Sequence, residues 1–319
     1  MKEVSVTGKI WISKNFNPEK VNFLKDNFNL SEILSKLLAI RNIRLEDINL
    51  FLNPKIKNLL PNPFVLKDME KAVNRTIKAI EGNEKIGIFG DYDVDGATST
   101  AILGNYFTEI KKDIEIYIPD RKKEGYGPSK IGFEKLISYG SKLIFTVDCG
   151  TLSFEIIEFY QKKNIDILVL DHHQSEIKLP SAFSIVNPNR FDDNSKLNYL
   201  CAAGVCFMFL IALNKKLREN EWFKKNNLPE PNLINYLDLV SLGTVCDVVP
   251  LIGLNRAIVS QGLEVMKKKN NLGLKTLKNI CGIENHITPY HLGYVLGPRI
   301  NAGGRVGKCS HGANLFLNK

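Results

Sequence analysis

Residues 85–96 read Lys85-Ile86-Gly87-Ile88-Phe89-Gly90-Asp91-Tyr92-Asp93-Val94-Asp95-Gly96. An apolar run rich in β-branched residues that stops at three aspartates is a buried strand running into a polar turn. The pattern recurs at Ile114-Glu115-Ile116-Tyr117-Ile118, Leu143-Ile144-Phe145-Thr146-Val147 and Ile167-Leu168-Val169-Leu170, each followed by a turn and a helical segment. Strands alternating with helices predict βαβ units. The expected fold is α/β, a parallel β-sheet with helices on both faces. An aspartate follows each run: Asp91, Asp120, Asp148 and Asp171. Parallel strands end on one edge, so these four are expected on one rim, where α/β proteins take their ligands. Any one of them alone reads more simply as a helix N-cap.

Outward from this core, residues 1–65 read as a helical N-terminal lead-in, with Ile33, Leu34, Leu37 and Leu38 at helical spacing before Pro54, Pro61 and Pro63. Residues 66–252 hold the expected catalytic domain, and 253–319 a helical connector and the start of a second domain. The 319 residues suffice for a sizeable core, and 44% hydrophobic content excludes a disordered chain. No long apolar run reads as a membrane span, and the first residues lack the layout of a secretory signal. Six scattered cysteines without a CxxC pair suit a reducing cytoplasm. The net charge of +9 is carried mostly by lysine, so it fits a solvated surface as well as a polyanion-binding one.

Asp91, Asp93 and Asp95 crowd three carboxylates into five residues. At the end of an apolar strand their mutual repulsion calls for a divalent cation. The start resembles a calcium loop, but Ile102 stands where an EF-hand needs glutamate. The small residues Ala97-Thr98-Ser99-Thr100-Ala101 suit a helix start that phosphate could approach. Asp171-His172-His173 adds two imidazoles to the acidic rim, and Asp247 adds a further carboxylate after a helix. Mixed Asp and His donors suit Mn²⁺ or Mg²⁺, and their density suits the two ions of phosphoester hydrolysis. Gly125-Tyr126-Gly127 beside Arg121-Lys122-Lys123 could stack a base and neutralise phosphate, or be an ordinary solvated turn.

Taken together, Gly90-Asp91-Tyr92-Asp93-Val94-Asp95-Gly96, Val147-Asp148-Cys149-Gly150, Asp171-His172-His173, Gly243-Thr244-Val245-Cys246-Asp247 and Pro298-Arg299-Ile300-Asn301-Ala302-Gly303-Gly304-Arg305 resemble the DHH phosphoesterase superfamily. Many of its members carry histidine four positions before the first ligand aspartate. Phe89 stands there instead, the form found in its single-strand-DNA-specific exonucleases.

The resemblance implies a metal-dependent 5′-to-3′ exonuclease on single-stranded DNA, in recombination and repair, with a helicase and a single-strand-binding protein as partners. It makes Asp93, Asp95, Asp148, His172 and Asp247 the ligands of two Mn²⁺ or Mg²⁺ ions, with Asp148 bridging. His173 would face the scissile phosphate, Asp171 would orient a histidine, and Asp91 would lie near the site. Arg299 and Arg305 would grip DNA phosphates from a loop that Asn301 and the paired glycines let approach the strand; helix-cap or salt-bridge roles are the alternative. Relatives of this form continue into further C-terminal domains, so the sequence ending at Lys319 is expected to lack the substrate clamp. A phosphodiesterase acting on short oligonucleotides or cyclic dinucleotides, or an inactive nucleic-acid-binding form, are the competing expectations.

Overall fold

The computed structural model describes residues 4–268, 271–283, 286–306 and 308–317, in two compact units, 1–54 and 55–319. In the first unit, helices Pro18–Phe28, Glu32–Ile40 and Ile48–Leu52 gather Leu24, Leu38 and Ile48 into a small core. Asn17 and Ser31 cap the first two helices through side-chain oxygens. The helical stretch expected across 31–53 is broken after Ile40, where Asn42 takes a left-handed conformation (φ 53°).

The expected boundaries at 65 and 252 both fall inside the second unit. There the Ile56 amide donates to Gln261 Oε1 at 2.9 Å, tying the 56–59 turn to helix Gly253–Lys268.

The second unit holds a five-stranded, all-parallel sheet: β1 Lys85–Gly90, β2 Ile114–Tyr117, β3 Ser141–Val147, β4 Asp166–Leu170 and β5 Ser184–Val186, in the order β2-β1-β3-β4-β5. Its side chains divide with period two. Ile86, Ile88, Leu143, Phe145, Val147, Leu168 and Leu170 join one core with helices Met69–Glu81, Val94–Glu109 and Ala202–Glu219. Phe89, Ile144, Ile167, Val169 and Ile185 join another with helices Lys130–Tyr139 and Phe154–Gln161. Both faces are covered, which is why the strands are apolar throughout rather than alternating.

Register places the functional rim. Gly90 pairs with Val147, Val147 with Leu170, and Leu170 with Val186. The next residues therefore stand in one row across four adjacent strand ends: Asp91, Asp148, Asp171 and Asn187. Asp120 is a correction. Phe89 pairs with Tyr117, so Asp120 lies one residue beyond the row, where its Oδ1 accepts from the Lys122 and Lys123 amides as an ordinary turn cap. No helix among the described residues is long and apolar enough to cross a membrane.

Candidate metal centre

The turn after β1 brings Asp91, Asp93 and Asp95 to the rim in different ways. Asp93 is the N-cap of helix Val94–Glu109, its Oδ1 accepting from the Gly96 amide at 2.9 Å. Any Cβ on Gly96 would stand 2.6 Å from the Asp91 carbonyl oxygen, so only glycine fits that turn. Asp95 is buried inside the first turn and caps another helix, accepting from the Ala202 and Ala203 amides at 2.6 and 3.0 Å. The expectation that small residues 97–101 open this helix to phosphate is not met. Those residues are buried, and Thr98 and Asp95 leave room opposite only for Gly243, whose Cβ would meet them at 2.6 and 2.7 Å. Small side chains here serve close helix packing.

Asp148 follows β3 in a left-handed conformation (φ 61°), rare outside glycine and asparagine. His172 Nε2 lies 3.3 Å from Asp148 Oδ1, 3.6 Å from Asp247 Oδ2 and 3.7 Å from Asp95 Oδ2. Asp247 ends helix Leu237–Cys246 as its C-cap. His173 Nδ1 donates to Asp171 Oδ1 at 2.7 Å, and Asp171 also accepts from the amides of His172, His173 and Thr151.

Three sets of donors stand close enough to share a cation: Asp91, Asp93 and Asp148; Asp95, His172 and Asp247; and Asp148, His172 and His173. Asp148 belongs to two of them. Asp91 Oδ1, Asp148 Oδ1, His172 Nε2 and Asp247 Oδ2 are buried without a hydrogen-bond partner among the described residues. Orphaned buried polar atoms are costly, and four that converge point to a missing occupant. Burial and the Asp93 charge push Asp91 up to about 7, and burial with the Asp95 charge lifts Asp247 to about 8. Burial also raises Asp95 and Asp148. Carboxylates that resist ionisation beside imidazole nitrogens fit a hard divalent cation. Asp171 is held the other way: burial opposes its charge, but the His173 ring and Thr151 amide overcome that and lower it. The same bond raises His173 to about 9.

The clustered sequence candidates are thus Asp91, Asp93, Asp95, Asp148, Asp171, His172, His173 and Asp247. Asn187, which sequence reading misses, is fully buried and donates to Thr151 Oγ1 and the His173 carbonyl at 2.8 and 2.9 Å. Asn189 donates to the His172 carbonyl and hydrogen-bonds Asn187 through its own amide. The two asparagines fix the His-His turn from β5.

Beside the donors opens a cavity of 310 Å³ lined by Asp91, Tyr92, Asp93, Arg121, Tyr126, Asn301, Gly304 and Arg305. The expected arginine loop is instead a helix, Gly297–Val306, entered through a π-helical stretch His291–Leu296. Pro298 at its second position needs no amide partner, so it starts the helix rather than ending one. Asn301 and Arg305, four apart, share a face that lines the cavity. Arg299 does not line it and donates to the Val295 carbonyl at 2.7 Å.

The family described as "DHH family, N-terminal domain" matches residues 85–244, half of the chain. The chain belongs to the DHH family. "Single-stranded-DNA-specific exonuclease RecJ" of Bacillus subtilis is 32% identical over 311 residues, 97% of this chain and 38% of that protein. A crystal structure of RecJ with Mn²⁺ from Thermus thermophilus superposes with a TM-score of 0.76 at 27% identity, covering 95% of this chain and 42% of that one. A further structure, exonuclease RecJ bound to manganese, gives 0.69 at 32% identity, covering 81% and 62%. The parallel sheet is thus that of DHH proteins, and the chain spans less than two thirds of each of these relatives.

Proposed function

We propose that this chain is the catalytic part of a metal-dependent exonuclease that hydrolyses single-stranded DNA from its 5′ end. The observation carrying the reading is the convergence of four unpartnered donor atoms on Asp91, Asp148, His172 and Asp247 at the end of the sheet. The likeness to single-stranded-DNA-specific exonucleases and to Mn²⁺-bound structures supports it. Asp93, Asp95, Asp148, His172 and Asp247 would hold two Mn²⁺ or Mg²⁺ ions, which supply Lewis acidity and an activated water when bound.

The chain's own residues do the rest. Asp171 keeps the His173 ring turned to the rim and protonated, so its second nitrogen can donate to a phosphoryl oxygen. Arg121, Asn301 and Arg305 line the adjoining cavity and grip the strand's phosphates, with Arg299 on the same helix beyond it. Recombination and repair are the setting, with a helicase and a single-strand-binding protein supplying and guarding the strand.

The test is release of nucleotides from 5′-labelled and 3′-labelled single strands with Mn²⁺, beside matching duplex and dinucleotides. Early release of label from the 5′-labelled single strand alone is expected. Cleavage of dinucleotides with the long strand left intact would favour the phosphodiesterase reading.

A further inference from the structure

Tyr126 stands between Gly125 and Gly127, both in left-handed conformations (φ 81° and 82°). Its ring is half exposed, as a base-stacking aromatic would be. Its hydroxyl, however, is already engaged. It donates to the main-chain carbonyl of Asp148 at 2.9 Å and lies 3.2 Å from His173 Nε2. The Tyr126 and His173 rings meet edge to face, with centroids 5.7 Å apart.

Those partners are significant together. Asp148 is the donor shared by two candidate cation sets, and its backbone is left-handed at that residue. An aspartate meets a steric penalty there that glycine does not, so something outside the strand must hold its peptide in place. The Tyr126 hydroxyl bonds the carbonyl of that very residue. His173 Nδ1 is occupied by Asp171, which leaves Nε2 as the ring's free donor; the same hydroxyl oxygen faces it. One hydroxyl thus spans the shared carboxylate residue and the histidine beside it.

The loop is built to deliver that hydroxyl. Glu124 accepts from the Asp120 amide and the Tyr117 hydroxyl, both at 2.8 Å, and from the Ser129 hydroxyl, anchoring the segment to the end of β2 on one side and to helix Lys130–Tyr139 on the other. The paired glycines then carry the chain through two left-handed residues and turn Tyr126 over the end of β3.

We propose that Tyr126 is a positioning residue: its hydroxyl, rather than its ring, sets the Asp148 backbone and the His173 ring for cation binding and phosphate contact. The proposal rests on the metal-dependent reading of the site given above. It assigns the 121–127 loop a second task, since Arg121 lines the substrate cavity while Tyr126 braces the metal centre.

The test compares Tyr126→Phe, which deletes only the hydroxyl, with Tyr126→Leu, which also deletes the aromatic ring. Mn²⁺ binding by titration calorimetry and single-strand binding by fluorescence anisotropy in EDTA are measured on the full chain, and kcat and KM on a 5′-phosphorylated strand. Tyr126→Phe should weaken Mn²⁺ binding roughly tenfold and lower kcat by a similar factor, as expected for one hydrogen bond of about 1.4 kcal/mol. Its melting temperature in EDTA, its strand affinity and its KM should stay at the wild-type values. Tyr126→Phe with wild-type Mn²⁺ affinity, paired with Tyr126→Leu that loses strand affinity, would overturn the proposal in favour of base stacking. A wild-type chain that takes up no Mn²⁺ would instead overturn the metal-dependent reading, and this proposal with it.

Discussion

His172 Nε2 faces Asp148 Oδ1 at 3.3 Å, and neither atom has a hydrogen-bond partner among the described residues. The two come from adjacent strands, β3 and β4, whose last residues Val147 and Leu170 are in register. An imidazole nitrogen and a carboxylate oxygen so placed are either a charged pair or two ligands waiting on one cation. The surrounding carboxylates, Asp95 and Asp247, favour the second, because they add negative charge that one imidazole cannot balance.

Stability without divalent cations should fall as pH rises from about 6 to 9. Asp91, held at about 7, and Asp247, at about 8, keep protons in the folded state that the unfolded chain releases near 4. Folding therefore binds protons across that range, and raising the pH opposes it. His173 acts in the same direction. Raised to about 9, it stabilises fully below its unfolded value near 6.5 and loses that contribution as pH passes 9. Melting temperatures in EDTA should decline across this window, and saturating Mn²⁺ should flatten the decline. A rise with pH in EDTA would contradict the buried-carboxylate account.

Asn187→Ala should destabilise the second unit by about 1–3 kcal/mol, the cost of removing buried hydrogen bonds to Thr151 and the His173 carbonyl. Urea unfolding followed by circular dichroism measures it. Hydrolysis should also drop, because the turn carrying His172 and His173 loses its support from β5.

Arg305→Ala should weaken single-strand binding more than Arg299→Ala does, since Arg305 lines the cavity and Arg299 donates to Val295 instead. A lost contact to charged phosphate is worth about 1.5–3 kcal/mol, or roughly ten- to a hundredfold in affinity. The salt dependence of binding should lose about one unit of slope for Arg305→Ala. Equal losses at both positions would refute the distinction.

Gly243→Ala and Gly262→Ala separate packing from metal binding. A Cβ at 243 would strike Thr98 Oγ1 and Asp95 Oδ1, whereas one at 262 would strike Leu237 and Ser241. Both should cost about 1–3 kcal/mol from overpacking, read by urea unfolding. Only Gly243→Ala should also lower Mn²⁺ affinity in calorimetry.

What the sequence reveals, and what it conceals, follows from the range of the interactions. Strands β1 to β4 show in the sequence because burial on both faces makes them continuous apolar runs, and the aspartates after β1, β3 and β4 show as punctuation. Three-residue β5 has no such pattern, so Asn187 is invisible there although it completes the row. Its role consists of bonds to Thr151 and His173, 36 and 14 residues away. Asp120 looks like its neighbours because a turn cap and a metal donor share one residue type; only register tells them apart. The 297–306 helix reads as a loop because Pro298 and the Gly303-Gly304 pair are usual helix breakers, yet proline at a helix start is compatible with helix.

The most direct test of the two-ion centre is a Mn²⁺ titration of the full chain by calorimetry, beside Asp148→Ala. Two ions per chain are predicted for the wild type, with at least one lost when the shared carboxylate is removed and hydrolysis of single-stranded DNA lost with it. An Asp148→Ala chain that binds two Mn²⁺ ions with wild-type affinity, or cleaves DNA at the wild-type rate, would contradict the account.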